Sequence, residues 1–163
     1  MKKIIVIGCP GSGKSVFSRK LHEKTKIPLI HLDMLYWNAD RTTVGREVFL
    51  ERLLDALKKD AWIIDGDYAS TMEMRMNECD TVFFLDYPVE VCLDGARKRV
   101  GIARSDIPWV ENREDEELIE VIKNYALQKR PEVFELFEKY PDKSITVFKS
   151  RDETERFLNS INS

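Results

Sequence analysis

The chain has 163 residues, 43% of them hydrophobic and 34% charged, with a formal net charge of −3. This length suits one ordinary domain, spanning 1–163, and the composition suits a soluble globular fold. The slightly acidic balance argues against a general nucleic-acid binder. Cys9, Cys79 and Cys92 show neither C-x-x-C nor a Cys/His metal spacing, which argues against structural zinc and fits a reducing compartment. Met1-Lys2-Lys3 precedes only Ile4–Ile7 before Gly8, too short an apolar stretch for a signal peptide, and no run approaches the ~18 apolar residues of a membrane span. The expectation is a cytoplasmic protein with no membrane partner.

The first element is the β-branched run Ile4–Ile7, which reads as a buried strand. It leads into Gly8-Cys9-Pro10-Gly11-Ser12-Gly13-Lys14-Ser15, a match to G-x-x-x-x-G-K-[ST], and then into a helix over Ser15–Lys24. Strand, loop and helix in that order are the context the motif requires. Glycines let backbone N–H groups face a phosphate with no side chain in the way, and the helix N-terminus adds partial positive charge. Gly8, Pro10, Gly11, Ser12, Gly13, Lys14, Ser15 and Val16 are therefore the expected nucleotide-binding residues. Lys14 is placed to reach the β- and γ-phosphates and the Ser15 hydroxyl to ligate Mg²⁺. Cys9, at an unconstrained position of the motif, reads as a tolerated small residue rather than a redox thiol.

Pro28–Leu32 is the second strand, and Asp33 follows at its carboxyl end. In an open parallel sheet that end lines the ligand crevice, so Asp33 is expected to orient or deprotonate an acceptor hydroxyl. His31 reads as structural. Tyr36-Trp37 could cover a substrate or serve plain packing. Arg46–Lys59 carries Phe49, Leu50, Leu53, Leu54 and Leu57 at helical spacing.

Trp62–Asp65 is the third strand and Thr81–Leu85, followed by Asp86, the fourth. A P-loop needs an acid at the end of a neighbouring strand for Mg²⁺. Asp65 is preferred over Asp86 because Gly66 after it opens space. The other reading of Asp86 is a cap on the helix after Pro88. Asp67, Tyr68 and Arg75 follow Gly66, and an arginine there could fork onto a substrate phosphate or sit on a solvated helix face.

Val89–Arg99 reads as a helix ending in Arg97, Lys98 and Arg99, with Arg104 beyond. Arginines closing over a transferred phosphoryl group stabilise its charge. Residues from about 97 to 116 are charged, contain Gly101 and Pro108, and fit no strand, so a lid is expected there. Glu114–Tyr140 is a long helical pattern that Pro131 should break or kink. Ile145–Phe148 is the fifth strand. A last helix begins near Arg151, with Ser150 and Glu153 in an S-x-x-E capping box, and ends around Ile161. Strands alternating with helices predict an α/β fold with a parallel sheet.

Gly8–Ser15, His31-Leu32-Asp33 with Leu35-Tyr36-Trp37, Trp62 through Tyr68, Thr71-Met72 with Arg75, and Asp80 through Asp86 with Pro88 and Cys92-Leu93 together resemble the P-loop nucleoside and nucleotide kinases. Within that group the chain is most similar to the bacterial DNA topology modulation proteins, which are adenylate-kinase-like. The resemblance implies a three-layer P-loop fold, a five-stranded parallel sheet of order 2-3-1-4-5 with a short helical lid, and ATP with Mg²⁺. It implies catalytic roles for Lys14, Asp33 and Arg99, metal contacts from Ser15 and Asp65, and nucleotide contacts from Arg97 and Arg151. Asp33, Trp37, Asp67, Tyr68, Arg75 and Arg104 would meet the acceptor.

The chain departs from those relatives at Asp67, where they carry Asn, and at Gly95, where they carry Arg. The paired glycines and arginine of a shikimate-type acceptor site are absent after the third strand, and so is the N-K-x-D guanine motif. The expected function is ATP-dependent transfer to a nucleotide, nucleoside or small hydroxyl acceptor. The alternative is a nucleotide-binding regulatory ATPase with no true acceptor.

Overall fold

A computed structural model describes residues 1–162. Five parallel strands form one sheet: β1 (Lys3–Gly8), β2 (Leu29–His31), β3 (Trp62–Asp65), β4 (Thr81–Leu85) and β5 (Ser144–Phe148). Their spatial order is β2-β3-β1-β4-β5, as expected, with β1 in the centre. The register sets Val6 beside Asp65, Gly8 beside Leu85 and His31 beside Asp65. The carboxyl ends of β1, β2 and β3 are thereby brought to one edge of the sheet.

The central strands are apolar because neighbours cover them on both faces and both sides. Ile4, Ile5, Val6 and Ile7 are 0% exposed. The expectation of full burial holds for β1, β3 and β4 but not for the outer strands. β2 is half-buried, and β5 starts on an exposed Ser144, since an edge strand has a neighbour on one side only.

Helices α1 (Lys14–Thr25), α2 (Leu32–Tyr36), α3 (Arg46–Leu57), α4 (Ala69–Glu78), α5 (Val89–Lys98), α6 (Glu116–Gln128), α7 (Arg130–Glu138) and α8 (Arg151–Ser160) complete the chain. Successive β4 side chains serve opposite faces of the sheet. Phe83 packs with Phe17 of α1 and Phe157 of α8, at ring-centroid distances of 5.4 and 4.9 Å. Phe84 packs with Phe134 and Phe137 of α7, at 5.6 and 5.9 Å. Burying each ring contributes roughly 1.5–3 kcal/mol.

Two helices escape the periodicity argument. α2 has only five residues, too short to show a period. α4 buries an arginine, Arg75, between Met72 and Met76, which breaks the apolar stripe that marks a helix. The long pattern over 114–140 divides at Lys129 into α6 and α7. Pro131 sits in the first turn of α7, where a missing N–H costs nothing. The capping box of α8 is present in modified form. The Ser150 hydroxyl accepts from the Glu153 N–H at 3.3 Å, while Glu153 reaches back to the N–H of Lys149 at 2.7 Å.

The segment between α5 and α6 runs through turns and bends, with the two helices leading into and out of it. Among the described residues no helix is long and apolar enough to cross a membrane.

Asp86 ties three elements together at the end of β4. Arg130 Nε donates to both of its oxygens, at 2.9 and 3.0 Å, and Lys149 Nζ donates at 2.6 Å. It does not cap α5, whose N-terminus at Pro88 has no side-chain cap. Burial raises the Asp86 pKa, but its two cationic partners outweigh burial and hold it below the usual carboxylate value. A depressed folded pKa gives stability that is present above the unfolded value and lost as pH falls through the folded one. Asp86→Asn is therefore expected to lower unfolding stability by about 1–3 kcal/mol at pH 7, with the deficit shrinking below about pH 4, as read by urea titrations across pH.

Candidate functional site

The phosphate loop forms where β1 passes into α1. Gly11 and Gly13 adopt φ of 82° and 95°, a region that costs other residues strain. Gly13 is the N-cap of α1, and no side chain caps that helix. The N–H groups of its first turn thus point outward with no side-chain partner. A Cβ added at Gly13 would meet nothing within 4 Å, so the space before the helix N-terminus is open. Lys14 Nζ folds back onto the carbonyls of Gly8 at 2.7 Å and Cys9 at 3.2 Å. A triphosphate suits this cradle: open backbone donors, a positive helix end and an ammonium at its lip.

A cavity of about 680 Å³ lies over the loop. Pro10, Gly11, Gly13, Lys14, Ser15 and Val16 form its floor, while Gly8 and Ser12 are not part of its lining. The Ser12 hydroxyl is buried with no partner, and the Gly8 N–H donates to Asp67 at 3.2 Å. Asp65, Gly66, Asp67 and Tyr68 wall one side, with Asp33 beside them. Lys98, Arg99, Arg104 and Asp106 close over the top, and Gly95 and Arg151 flank the far end.

Ser15 and Asp65 share this cavity, a hydroxyl and a carboxylate suited to a hard divalent cation such as Mg²⁺. Asp86 is excluded from such a role by its two cationic partners. Asp65 Oδ2 meets His31 Nδ1 at 2.7 Å. Burial pulls the His31 pKa down, but the hydrogen bond and charge of Asp65 outweigh it, and the imidazole is raised above its ordinary value.

Asp33 lies in the first turn of α2 and accepts a hydrogen bond from the Tyr68 hydroxyl. Burial raises the Asp33 pKa, against the opposing effects of Tyr68 and Lys14. The Tyr68 ring is fixed by Tyr36 and Phe49, at centroid distances of 5.5 and 5.1 Å.

Besides Gly8 and Ser12, three expected residues stand outside the cavity wall. Arg75 is 0% exposed, and its guanidinium holds the loop after β3 from behind. It donates to the carbonyls of Gly66 at 2.9 Å, Asp67 at 2.8 Å and Tyr68 at 3.2 Å. Burial lowers its pKa to about 10, and it stays charged at neutral pH. The expected fork onto a substrate phosphate is corrected accordingly, because its guanidinium is engaged by these carbonyls and by the Thr71 hydroxyl, at 3.3 Å from Nε. Arg97 lies away from this cavity and pairs with Glu114 at 3.2 Å. Trp37 packs edge-to-face on Trp109 at 5.5 Å, joining the α2 side to the segment after α5.

Arg99 and Arg104 do overlook the cavity, each engaged by an acid. Arg99 meets Glu111 at 3.3 Å, and Arg104 meets Asp106 at 3.3 Å. Burial, then the charge of Arg104, lowers the Arg99 pKa. Sequence reasoning missed Arg19, one turn beyond Ser15, whose guanidinium donates to the Ser105 hydroxyl at 3.0 Å. Its i+4 spacing from Ser15 was an available signal. Asp106, in an irregular segment, offered none.

Position 95 is held to glycine by a close backbone contact. A Cβ there would lie 2.1 Å from the Gly11 carbonyl oxygen, and one on Gly11 would lie 2.0 Å from the Cys92 carbonyl oxygen. Loop and helix touch backbone to backbone, so no side chain fits at 95.

No protein-family model and no curated protein matches the chain. Among solved structures, the crystal structure of shikimate kinase from Bacteroides thetaiotaomicron is similar, with a TM-score of 0.57 at 21% identity over 96% of this chain and 93% of that one. The architecture is that of a P-loop kinase fold.

Gly95→Ala is expected to cost about 1–3 kcal/mol of stability and to weaken binding of a fluorescent ATP analogue, since loop or helix must move. Arg97→Ala should leave that affinity within about twofold, as expected for a surface ion pair. Fluorescence titration and thermal unfolding of both variants check the contrast.

Proposed function

We propose that this protein is an ATP·Mg²⁺-dependent phosphotransferase that moves the γ-phosphoryl group to a hydroxyl of a small-molecule acceptor, a nucleotide, a nucleoside or another small alcohol. One observation carries the reading. A carboxylate raised in pKa, Asp33, shares one cavity with the phosphate loop, the Ser15–Asp65 pair and two arginines. A plain nucleotide-binding module needs the loop but no base opposite it.

In this reading Lys14 leaves its loop carbonyls to contact the β- and γ-phosphates. Ser15 and Asp65 would hold Mg²⁺, which would supply positive charge to offset that of the phosphates. Asp33 accepts the proton of the acceptor hydroxyl, with its orientation held by Tyr68. Arg99, joined by Arg104, counters charge on the group in transfer. Arg151 and Gly95 flank the base. Asp67 and Tyr68 line the acceptor end, with Trp37 behind it against Trp109. The acceptor is assigned as a hydroxyl compound and not as shikimate, because the glycine-pair signature is missing after β3.

A second reading, a regulatory nucleotide-binding ATPase of the topology-modulation type, is favoured by Arg75. Its guanidinium is consumed by backbone carbonyls, which leaves the acceptor end without that cation.

A coupled ADP-release screen against nucleoside monophosphates, nucleosides and sugar acids separates the two. Acceptor-dependent release supports transfer, and release indifferent to every acceptor supports the ATPase. Lys14→Ala is expected to abolish release in either case, and an unchanged rate in that variant sinks both readings. With an acceptor in hand, Asp33→Asn should lower kcat by about 10²–10⁴-fold at nearly constant ATP KM. The raised Asp33 pKa places the acid limb of kcat/KM above the ordinary aspartate value of about 3.9. Rate should be lost as pH falls through that limb, and a pH–rate profile checks it.

A further inference from the structure

From its sequence position alone, His31 reads as a structural histidine. Its surroundings suggest more. It is the last residue of β2, Asp65 is the last of β3, and the parallel register makes them direct partners. Cross-strand partners send their side chains to the same face, so imidazole and carboxylate meet without distortion. Nδ1 stands 2.7 Å from Asp65 Oδ2, and the two side chains are only 10% and 7% exposed.

We propose that His31 is a positioning residue for Asp65: its Nδ1–H engages Oδ2, fixes the carboxylate plane, and leaves Oδ1 as the oxygen presented to a divalent cation beside Ser15. This rests on the metal role given to Asp65 under the proposed function.

The physical case has three parts. A free carboxylate rotates broadly about its last torsion, and one strong hydrogen bond removes that freedom. Metal-binding carboxylates are commonly held by an outer partner, whose loss costs about 10–100-fold in metal affinity. The chain also leaves Asp65 few other orienting contacts. Gly66 after it turns away at φ 122°, and Arg75 beneath spends its donors on the carbonyls of 66–68. In both the neutral Nδ1–H tautomer and the imidazolium, Nδ1 carries the donated hydrogen, so the contact does not depend on the charge of the ring.

Two polar replacements isolate the contact. An asparagine amide reaches about where Nδ1 lies, and a glutamine amide reaches nearer to Nε2. His31→Asn therefore keeps a donor for Asp65, and His31→Gln moves it away at similar volume. The readout is Mn²⁺ affinity of the complex with a β,γ-imido ATP analogue, followed by the electron paramagnetic resonance of free Mn²⁺. Affinity for the analogue in EDTA is measured beside it.

His31→Gln is expected to weaken Mn²⁺ about tenfold and His31→Asn by no more than about threefold, with EDTA affinity within about twofold for both. Wild-type Mn²⁺ affinity in His31→Gln overturns the proposal. So does equal loss in the two variants, a parallel loss in EDTA, or a His31→Gln chain that fails to fold, each of which marks the pair as a tie of the sheet. Asp65→Asn separates the levels. If it keeps Mn²⁺ affinity, the metal role of Asp65 falls and the proposal with it. If it loses Mn²⁺ while His31→Gln does not, the role of His31 falls alone.

Discussion

The close approach of the phosphate loop to α5 is the constraint on which the site depends. Gly11 and Gly95 meet backbone to backbone, with no room for a Cβ on either. The contact holds the loop down and sets the course of α5. Its C-terminal end then delivers Arg99 and the irregular segment beyond it over the same cavity that the loop floors. The far end of that cavity is bounded by Gly95 and Arg151, the first residue of α8. One glycine pair thus links the floor, the roof and one flank of the site. The glycine at 95 is the residue that permits so close a contact.

The acids at the carboxyl end of the sheet look alike in sequence and are sorted by their partners. Asp86 has two cations and becomes a structural clamp among β4, α7 and Lys149. Asp67 accepts from the Gly8 N–H and ties the loop after β3 to the phosphate loop. Asp65 has a histidine on one oxygen, and Asp33 has a tyrosine hydroxyl. Both of the latter line the cavity, and neither has an arginine or lysine partner. A carboxylate already neutralised by Arg and Lys has little left to offer a metal or a proton, whereas one held through a single oxygen keeps the other for a ligand. The same logic removes Arg75 from ligand binding. A buried guanidinium needs acceptors for its donors, and here three backbone carbonyls take them.

The elements were legible to the degree that their pattern was local. All five strands appear within a residue or two of the expected runs, because β-branched runs between turn residues carry their own signal. The long helices followed from their apolar spacing. α2 was too short to show a period, and α4 hides a buried charge in its stripe. The edge strands were expected to be buried and are not, since burial depends on neighbours and not on the run itself. At the site, the loop residues, Asp33 and Asp65 were readable because each closes a strand. Arg97 and Arg99 were not separable by eye. They lie two residues apart on a helix, roughly 200° around its axis, and only the direction of α5 decides which one overlooks the cavity.

By itself, then, the sequence determined the strand–loop–helix unit that begins at Ile4, the alternating pattern that makes the sheet parallel, and the presence of acids at strand ends. All of these are properties of residues near one another in the chain, where torsional preference and apolar period act directly. Only the tertiary structure decided which acid is clamped and which is open, which arginine supports a loop and which overlooks the cavity, and that His31 stands against Asp65. The carboxylate pairings join residues 34 to 63 positions apart. They are settled by sheet register and by the competition of neighbouring donors for the same carboxylate, and neither is written at any single position of the chain.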